Sequence, residues 1–200
     1  MTAKIYVEGG GDGQLLDTLF RRGWNRFFEA AGLAGRMPRV VRGKGRGQTF
    51  DMFLTALGNP RPGELPLLLV DSEDPVAPGR TVWQHLKARD NWDRPNGAPD
   101  DRAFLIVQVM ETWFLADHAL LRRYFGPSLR GQHLREWPML EALTKDTVMN
   151  ALVHATAGCS KSYSKGKVSY ELLERLNPEN VQARCPHAKA LLDRLKNLRA

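Results

Sequence analysis

Two rhythms of apolar residues alternate along the first 125 positions of the chain. Short apolar runs occupy residues 4–7, 38–42, 65–70 and 103–109, the length and composition of buried strands. The segments between them repeat their apolar residues near every 3.6 positions. Leu15, Leu16, Leu19, Phe20, Trp24, Phe27 and Phe28 predict a helix over 14–31, and Phe50, Phe53, Leu54 and Leu57 a second one after the loop at 43–47. Pro60, Pro62 and Gly63 end that second helix. Further helices are expected over 81–89 and 110–124, with a polar loop at 91–101 between them. The run 65–70 is apolar throughout, as a strand covered on both faces must be. The order β-α-β-α-β-α-β-α predicts an α/β fold with a parallel sheet flanked by helices.

Past residue 126 the rhythm changes. Short helices are expected at 134–143, 145–156, 170–176 and 188–198, separated by a polar loop at 158–167 and turns around Pro178 and Pro186. The chain therefore divides into an α/β core, 1–125, and a helical C-terminal extension, 126–200, packed on that core.

Parallel strands joined by right-handed crossovers end on one edge of the sheet, where α/β proteins bind ligands. Glu8 and Asp71 are each the first polar residue after an apolar strand, and Glu111 follows its strand closely. These carboxylates are expected to converge.

Charge sharpens this picture. The chain carries a formal +7 and a pI near 9.7, which favours an acidic partner such as nucleic acid. Arg36, Arg39, Arg42, Lys44 and Arg46 fall in a stretch without acids, as do Lys161, Lys165 and Lys167, whereas Asp71, Glu73 and Asp74 cluster elsewhere. Separate patches suit a site where carboxylates hold cations and basic groups hold phosphates. No apolar run approaches the roughly 18 residues of a membrane span. The start of the chain lacks a secretory pattern, and Cys159 and Cys185 form no disulfide or zinc motif. A cytoplasmic protein without membrane contact is expected.

Four motifs carry candidate chemistry. In Val7-Glu8-Gly9-Gly10-Gly11-Asp12-Gly13, glycines let the chain turn and let phosphate approach the backbone. The dinucleotide fingerprint fails at Gln14. A Glu in such a turn makes sense if a cation separates it from phosphate; the plainer alternative is a strand-to-helix turn. In Val70-Asp71-Ser72-Glu73-Asp74-Pro75 the crowded acids repel unless a divalent cation joins them, although Asp74 also suits a helix cap. Glu111 stands among apolar neighbours, where an unpaired carboxylate is costly, while Trp113 and Phe114 read as core. The loop Ser160-Lys161-Ser162-Tyr163-Ser164-Lys165-Gly166-Lys167 either reaches a phosphate or is a solvated basic loop. The loop at 43–47 is unlike a P-loop, because Gly47-Gln48-Thr49 has Gln where the lysine is needed, and it reads as a flexible phosphate contact.

A strand ending in Glu-Gly and a later strand ending in Asp-x-Asp resemble the Toprim domain of topoisomerases, bacterial primases and OLD-family nucleases. Here the phrases are Val7-Glu8-Gly9 and Val70-Asp71-Ser72-Glu73, with Glu in place of the second Asp. Tyr6-Val7-Glu8-Gly9, Met110-Glu111-Thr112-Trp113-Phe114-Leu115-Ala116-Asp117 and Tyr163-Ser164-Lys165-Gly166 also resemble a family of small uncharacterised bacterial proteins grouped with Toprim. Its members are often encoded beside ATPases and suspected in phage defence. The resemblance implies a Toprim-like sheet and a Mg2+- or Mn2+-dependent nuclease with DNA or RNA as substrate and an ATPase as partner. It implies metal ligands Glu8, Asp12, Asp71, Glu73 and Glu111, with Glu8 and Lys165 catalytic, and nucleic-acid contacts from Arg42, Lys44, Arg46, Lys161 and Lys167. The rival expectation is a non-catalytic subunit that binds nucleic acid or an ATPase. A primase-like activity has neither a Walker motif nor a zinc ribbon behind it.

Overall fold

The computed structural model of the chain describes residues 1–198. Four strands, β1 (Thr2–Glu8), β2 (Arg39–Gly43), β3 (Glu64–Asp71) and β4 (Ala103–Ile106), form one all-parallel sheet in the order β2-β1-β3-β4. The protein is an α/β fold. The chain leaves β1 toward one side of the sheet for β2, then crosses back to β3 and on to β4. The direction of winding thus reverses between β1 and β3, and their C-terminal ends flank the crevice where such sheets bind ligands.

Alternation along the strands divides the core into two layers. Ile5, Val7, Leu67, Leu69, Phe104 and Ile106 face one layer. Tyr6, Leu68, Val70, Leu105 and Val107 face the other. The second layer is covered by α2 (Arg46–Gly58) and α3 (Val82–Asp90), through Phe50, Phe53, Trp83 and Leu86. Thr81 and Gln84 start α3 with a reciprocal capping box. The first layer is covered by α1 (Gln14–Phe28), continued by a wider turn over Glu29–Leu33 that ends at Gly32, φ +85°. Phe20, Trp24, Phe27 and Phe28 of α1 all lie in this layer, and Trp113 stacks on Phe27 with ring centroids 5.3 Å apart.

The C-terminal half adds α6 (Lys145–Thr156), α7 (Lys167–Leu173), α8 (Pro178–Arg184) and α9 (Pro186–Lys196) to the same layer. Helix α7 lies against α1, and α9 against β4. Arg36 donates a 2.8 Å hydrogen bond to the carbonyl of Lys196, tying the two halves together.

Several expected elements differ in detail. The helix expected over 110–124 is two, α4 (Glu111–Phe114) and α5 (His118–Phe125). Asp117 interrupts it: one carboxylate oxygen caps α5 at Leu120 N, 2.9 Å, and the other accepts from Asn177 N at 3.1 Å. No α-helix forms over 134–143, where Pro138 disfavours helical backbone at Trp137 and only a short 3-10 turn at Leu140–Ala142 is present. Conversely, α8 forms where only a turn was expected, with Asn177 as N-cap and Pro178 in its first turn. Cys159 and Cys185 are free thiols. No helix among the described residues is long and apolar enough to cross a membrane.

Candidate functional site

A cavity of about 430 Å³ opens at the C-terminal edge of β1 and β3. Glu8, Asp71, Glu73 and Glu111 line it, together with Gly9, Gly10, Gly11, Lys165 and Ser169. The strand ends deliver Glu8 and Asp71; the short helix α4 delivers Glu111 from its first residue. Glu73 reaches the cavity from a left-handed backbone turn, φ +63°, unusual for a residue with a side chain. Its amide donates to the carbonyl of Gln108, 2.8 Å, which fixes the turn.

Crowding of like charge is felt most at Asp71. Burial, reinforced by Glu111, Glu8 and Glu73, pushes its carboxyl well above the usual carboxylate range, against a smaller opposing pull from Lys165. Glu8 is also raised, first by burial, with Arg46 acting the other way and Glu73 adding repulsion. One oxygen of Glu8, Oε2, is buried without a hydrogen bond and faces Arg46 Nη1 at 3.5 Å.

Three of the four acids already have partners from the chain. Arg46 lies beside Glu8. Lys145 Nζ donates to Glu73 Oε2. The buried Tyr163 hydroxyl donates to Glu111 Oε1 and lies 2.9 Å from Ser169 Oγ. Burial and the Glu111 charge hold the Tyr163 phenol far above its ordinary range, so it stays a donor. Among the described residues, no three His, Cys, Asp or Glu side chains are gathered closely enough to form a ready ion-binding set.

The donor chemistry nevertheless fits a hard divalent cation: the polar lining is rich in carboxylates, and Asp71, the most deeply buried of them, has the charges of Glu111, Glu8 and Glu73 around it. Glu8, Asp71, Glu73 and Glu111 are the residues that would hold it.

The other expected site residues are distributed differently. Asp12 stands outside the cavity, exposed and paired with Lys44 at 3.0 Å, so it does not join the other four acids. Arg42 faces inward, its side chain 7% exposed. It donates to the carbonyls of Gly9 at 3.1 Å, Gly10 at 2.7 Å and Gly11 at 2.7 Å, and to Asp17. Gly9 is needed for that approach, since a Cβ there would sit 2.9 Å from Arg42. The glycine turn is thus built around an arginine. Arg46 is also turned in: it grips Asp90 with bonds of 2.9 and 2.7 Å, donates to the backbone carbonyl of Asp71 and lies over the Trp92 ring at 5.1 Å. Both arginines direct their donors to groups of the chain itself, whereas Lys44, Lys161, Lys165 and Lys167 are exposed.

A family profile described as Domain of unknown function (DUF4276) matches residues 7–196. The chain belongs to this family. No curated protein and no solved structure matches it. The DUF4276 match runs through both the α/β core and the C-terminal helices, so Glu8 and Lys145 fall in the same matched region.

Lys145, Tyr163 and Arg46 as a partner of Glu8 were not legible as site residues in this DUF4276 sequence. Tyr163 had the best signal, a tyrosine two positions before Lys165 in a loop otherwise rich in Ser, Lys and Gly. Lys145 had none: it is the first residue of a helix whose docking beside α4 decides where its side chain ends.

Proposed function

We propose that this chain is a Mg2+- or Mn2+-dependent phosphodiesterase acting on DNA or RNA, with a site of Toprim-like composition. The observation that carries the reading is the meeting of Glu8, Asp71, Glu73 and Glu111 in one cavity at the switch point of a parallel sheet, with Lys165 on the rim. A divalent cation held there by Glu8, Asp71, Glu73 and Glu111 would supply positive charge to polarise a phosphodiester and acidify a water molecule. Glu8, which lines the cavity from the end of β1, would take the proton of that water. Lys165, exposed at the rim, is placed to steady negative charge developing on phosphate. Gly10, where a Cβ would meet nothing within 4 Å, leaves open space beside Glu8. An ATPase partner belongs to the same proposal, through the resemblance noted in the sequence.

One observation favours a second reading. Glu8, Glu73 and Glu111 each face a group of the protein itself, as suits a subunit that keeps the fold and binds nucleic acid or an ATPase without turnover.

A cleavage time course on single-stranded DNA, duplex DNA and RNA, with Mg2+, Mn2+ or chelator, separates the two. Metal-dependent cutting that chelator abolishes is the expected result. No cutting of any substrate, with an adjacent-gene ATPase present, would overturn the enzyme reading in favour of the binding subunit.

A further inference from the structure

Besides Lys165 on the rim, two cations pair with acids that line the cavity, and they are held in very different ways. Arg46 is anchored on every side, by two bonds to Asp90, one to the Asp71 carbonyl and the Trp92 ring, and only 14% of its side chain is exposed. It is a fixture of the wall. Among the described residues, Lys145 makes one polar side-chain contact, to Glu73 Oε2, and its side chain is 38% exposed. The charges of Asp71 and Glu111 also act on its ammonium, so it sits in the shared field of three of the four acids.

Its backbone is as fixed as its side chain is free. Gln108, buried beyond the end of β4, accepts from Lys145 N at 3.0 Å and donates to the carbonyl of Leu143 at 2.6 Å. The backbone carbonyl of the same Gln108 holds the Glu73 amide. One residue therefore sets both ends of the Lys145–Glu73 pair. The lysine stem pivots from a fixed point, and the carboxylate it meets is presented by a backbone turn rare for a non-glycine residue.

We infer that Lys145 is the resident counter-ion of the acidic cavity, and that a divalent cation enters by displacing its ammonium from Glu73, so that Lys145 sets the cavity's affinity for that cation. The inference rests on the proposed metal-dependent reading and adds a residue from the C-terminal helices to it. It also accounts for the lack of a ready ion-binding set among the described residues: Glu73 is turned toward a positive charge that the chain itself supplies. Two positive charges cannot share one carboxylate at contact without strong repulsion, so lysine and metal compete. Arg46, with nowhere to go, does not.

The test is Mn2+ binding by calorimetry to metal-free full-length protein, comparing wild type with Lys145→Met and Lys145→Arg, without nucleic acid or turnover. Lys145→Met should bind Mn2+ about tenfold more tightly or better, whereas Lys145→Arg, which keeps the charge, should show no gain. Binding by Lys145→Met alone, with none by wild type, supports the inference equally. Equal affinity in wild type and Lys145→Met overturns the inference and leaves the metal reading standing. Weaker binding by Lys145→Met overturns it too, since the lysine would then assist the ion. Absence of Mn2+ binding in all three proteins overturns both. Should Lys145→Met not fold, Lys145→Gln replaces it. Amine acylation of the wild type provides a check free of substitutions: Mn2+ should increase labelling of Lys145 relative to Lys189, which is paired with Asp193 elsewhere. Unchanged labelling at saturating Mn2+ overturns the displacement.

Discussion

Two basic segments look alike in the sequence and end in opposite places. The first, around Arg42 and Arg46, is an acid-free stretch between β2 and α2; the second, Lys161 to Lys167, is an acid-free loop leading into α7. In the folded chain the first is scaffold. Arg42 gathers three backbone carbonyls of the glycine turn, and Arg46 braces Glu8, Asp71 and Asp90. The second keeps its lysines exposed, with Lys165 on the cavity rim, Lys161 over Tyr124 at 6.0 Å and Lys167 near Glu171 at 3.9 Å. The difference follows from what surrounds each. Carbonyls and carboxylates at the strand ends need donors, and an arginine fork with several N–H groups can satisfy many at once. In the lysine loop only Lys165 meets the strand-end acids, and Lys161 and Lys167 stay exposed away from them.

The largest expected effect separates the two segments by stability. Arg46→Ala leaves Asp90 with Arg89 alone and Glu8 without its facing cation, and should cost about 3 kcal/mol in denaturant unfolding. The double change Lys161→Ala, Lys167→Ala should stay within about 0.5 kcal/mol of wild type. A comparably small loss for Arg46→Ala would break the contrast.

Next is activity at the acid that Arg46 faces. Glu8→Gln keeps the shape and removes the charge, so melting should be retained while metal-dependent cleavage falls by about a hundredfold or more. Full activity in that variant would remove Glu8 from the proposed chemistry. Arg42→Ala should come third, at about 1–3 kcal/mol, because the glycine-turn carbonyls lose their donor. The same change should not reduce the salt dependence of nucleic-acid binding, measured by titration in chelator; a reduced slope would put Arg42 on the binding surface.

A pH series sharpens the role of the strand-end acids. Asp71 and Glu8 hold protons more tightly folded than in the open chain, where carboxyls titrate near about 4. Between the unfolded and folded values the native state binds more protons, so their contribution to stability falls as pH rises through that window and returns on acidification. Metal-free Asp71→Asn should therefore melt higher than wild type at neutral pH, and the gain should shrink toward the ordinary carboxylate range. A gain independent of pH would contradict this.

The smallest expected effect belongs to the lysine loop. If Lys161 and Lys167 each touch a phosphate of duplex DNA, replacing both by Ala should lower the salt slope of binding by about 0.9 per contact. An unchanged slope would move the footprint to other cations.

Much of the architecture was legible because it depends on local rhythm. The continuous run in β3 and the 3.6 spacing in α1 mark themselves, and strand ends in a parallel sheet share one edge whatever the side chains, which is why Glu8, Asp71 and Glu111 could be placed together from sequence. Asp117 as a cap was less legible, since an Asp inside an apolar periodic stretch reads equally as a solvent-facing helix position.

What the sequence by itself determined is the α/β order and which carboxylates reach the edge, because both follow from periodicity and chain direction. Tertiary structure alone decided which cations meet them. Arg42 turns inward because Gly9, Gly10 and Gly11 present carbonyls within reach, and Lys145 meets Glu73, 72 positions away, because Gln108 clamps the start of α6 beside the end of β3. A charge has the same sign wherever it stands, but its partner is chosen by distance and by unmet hydrogen bonds, and those exist only once the helices have docked.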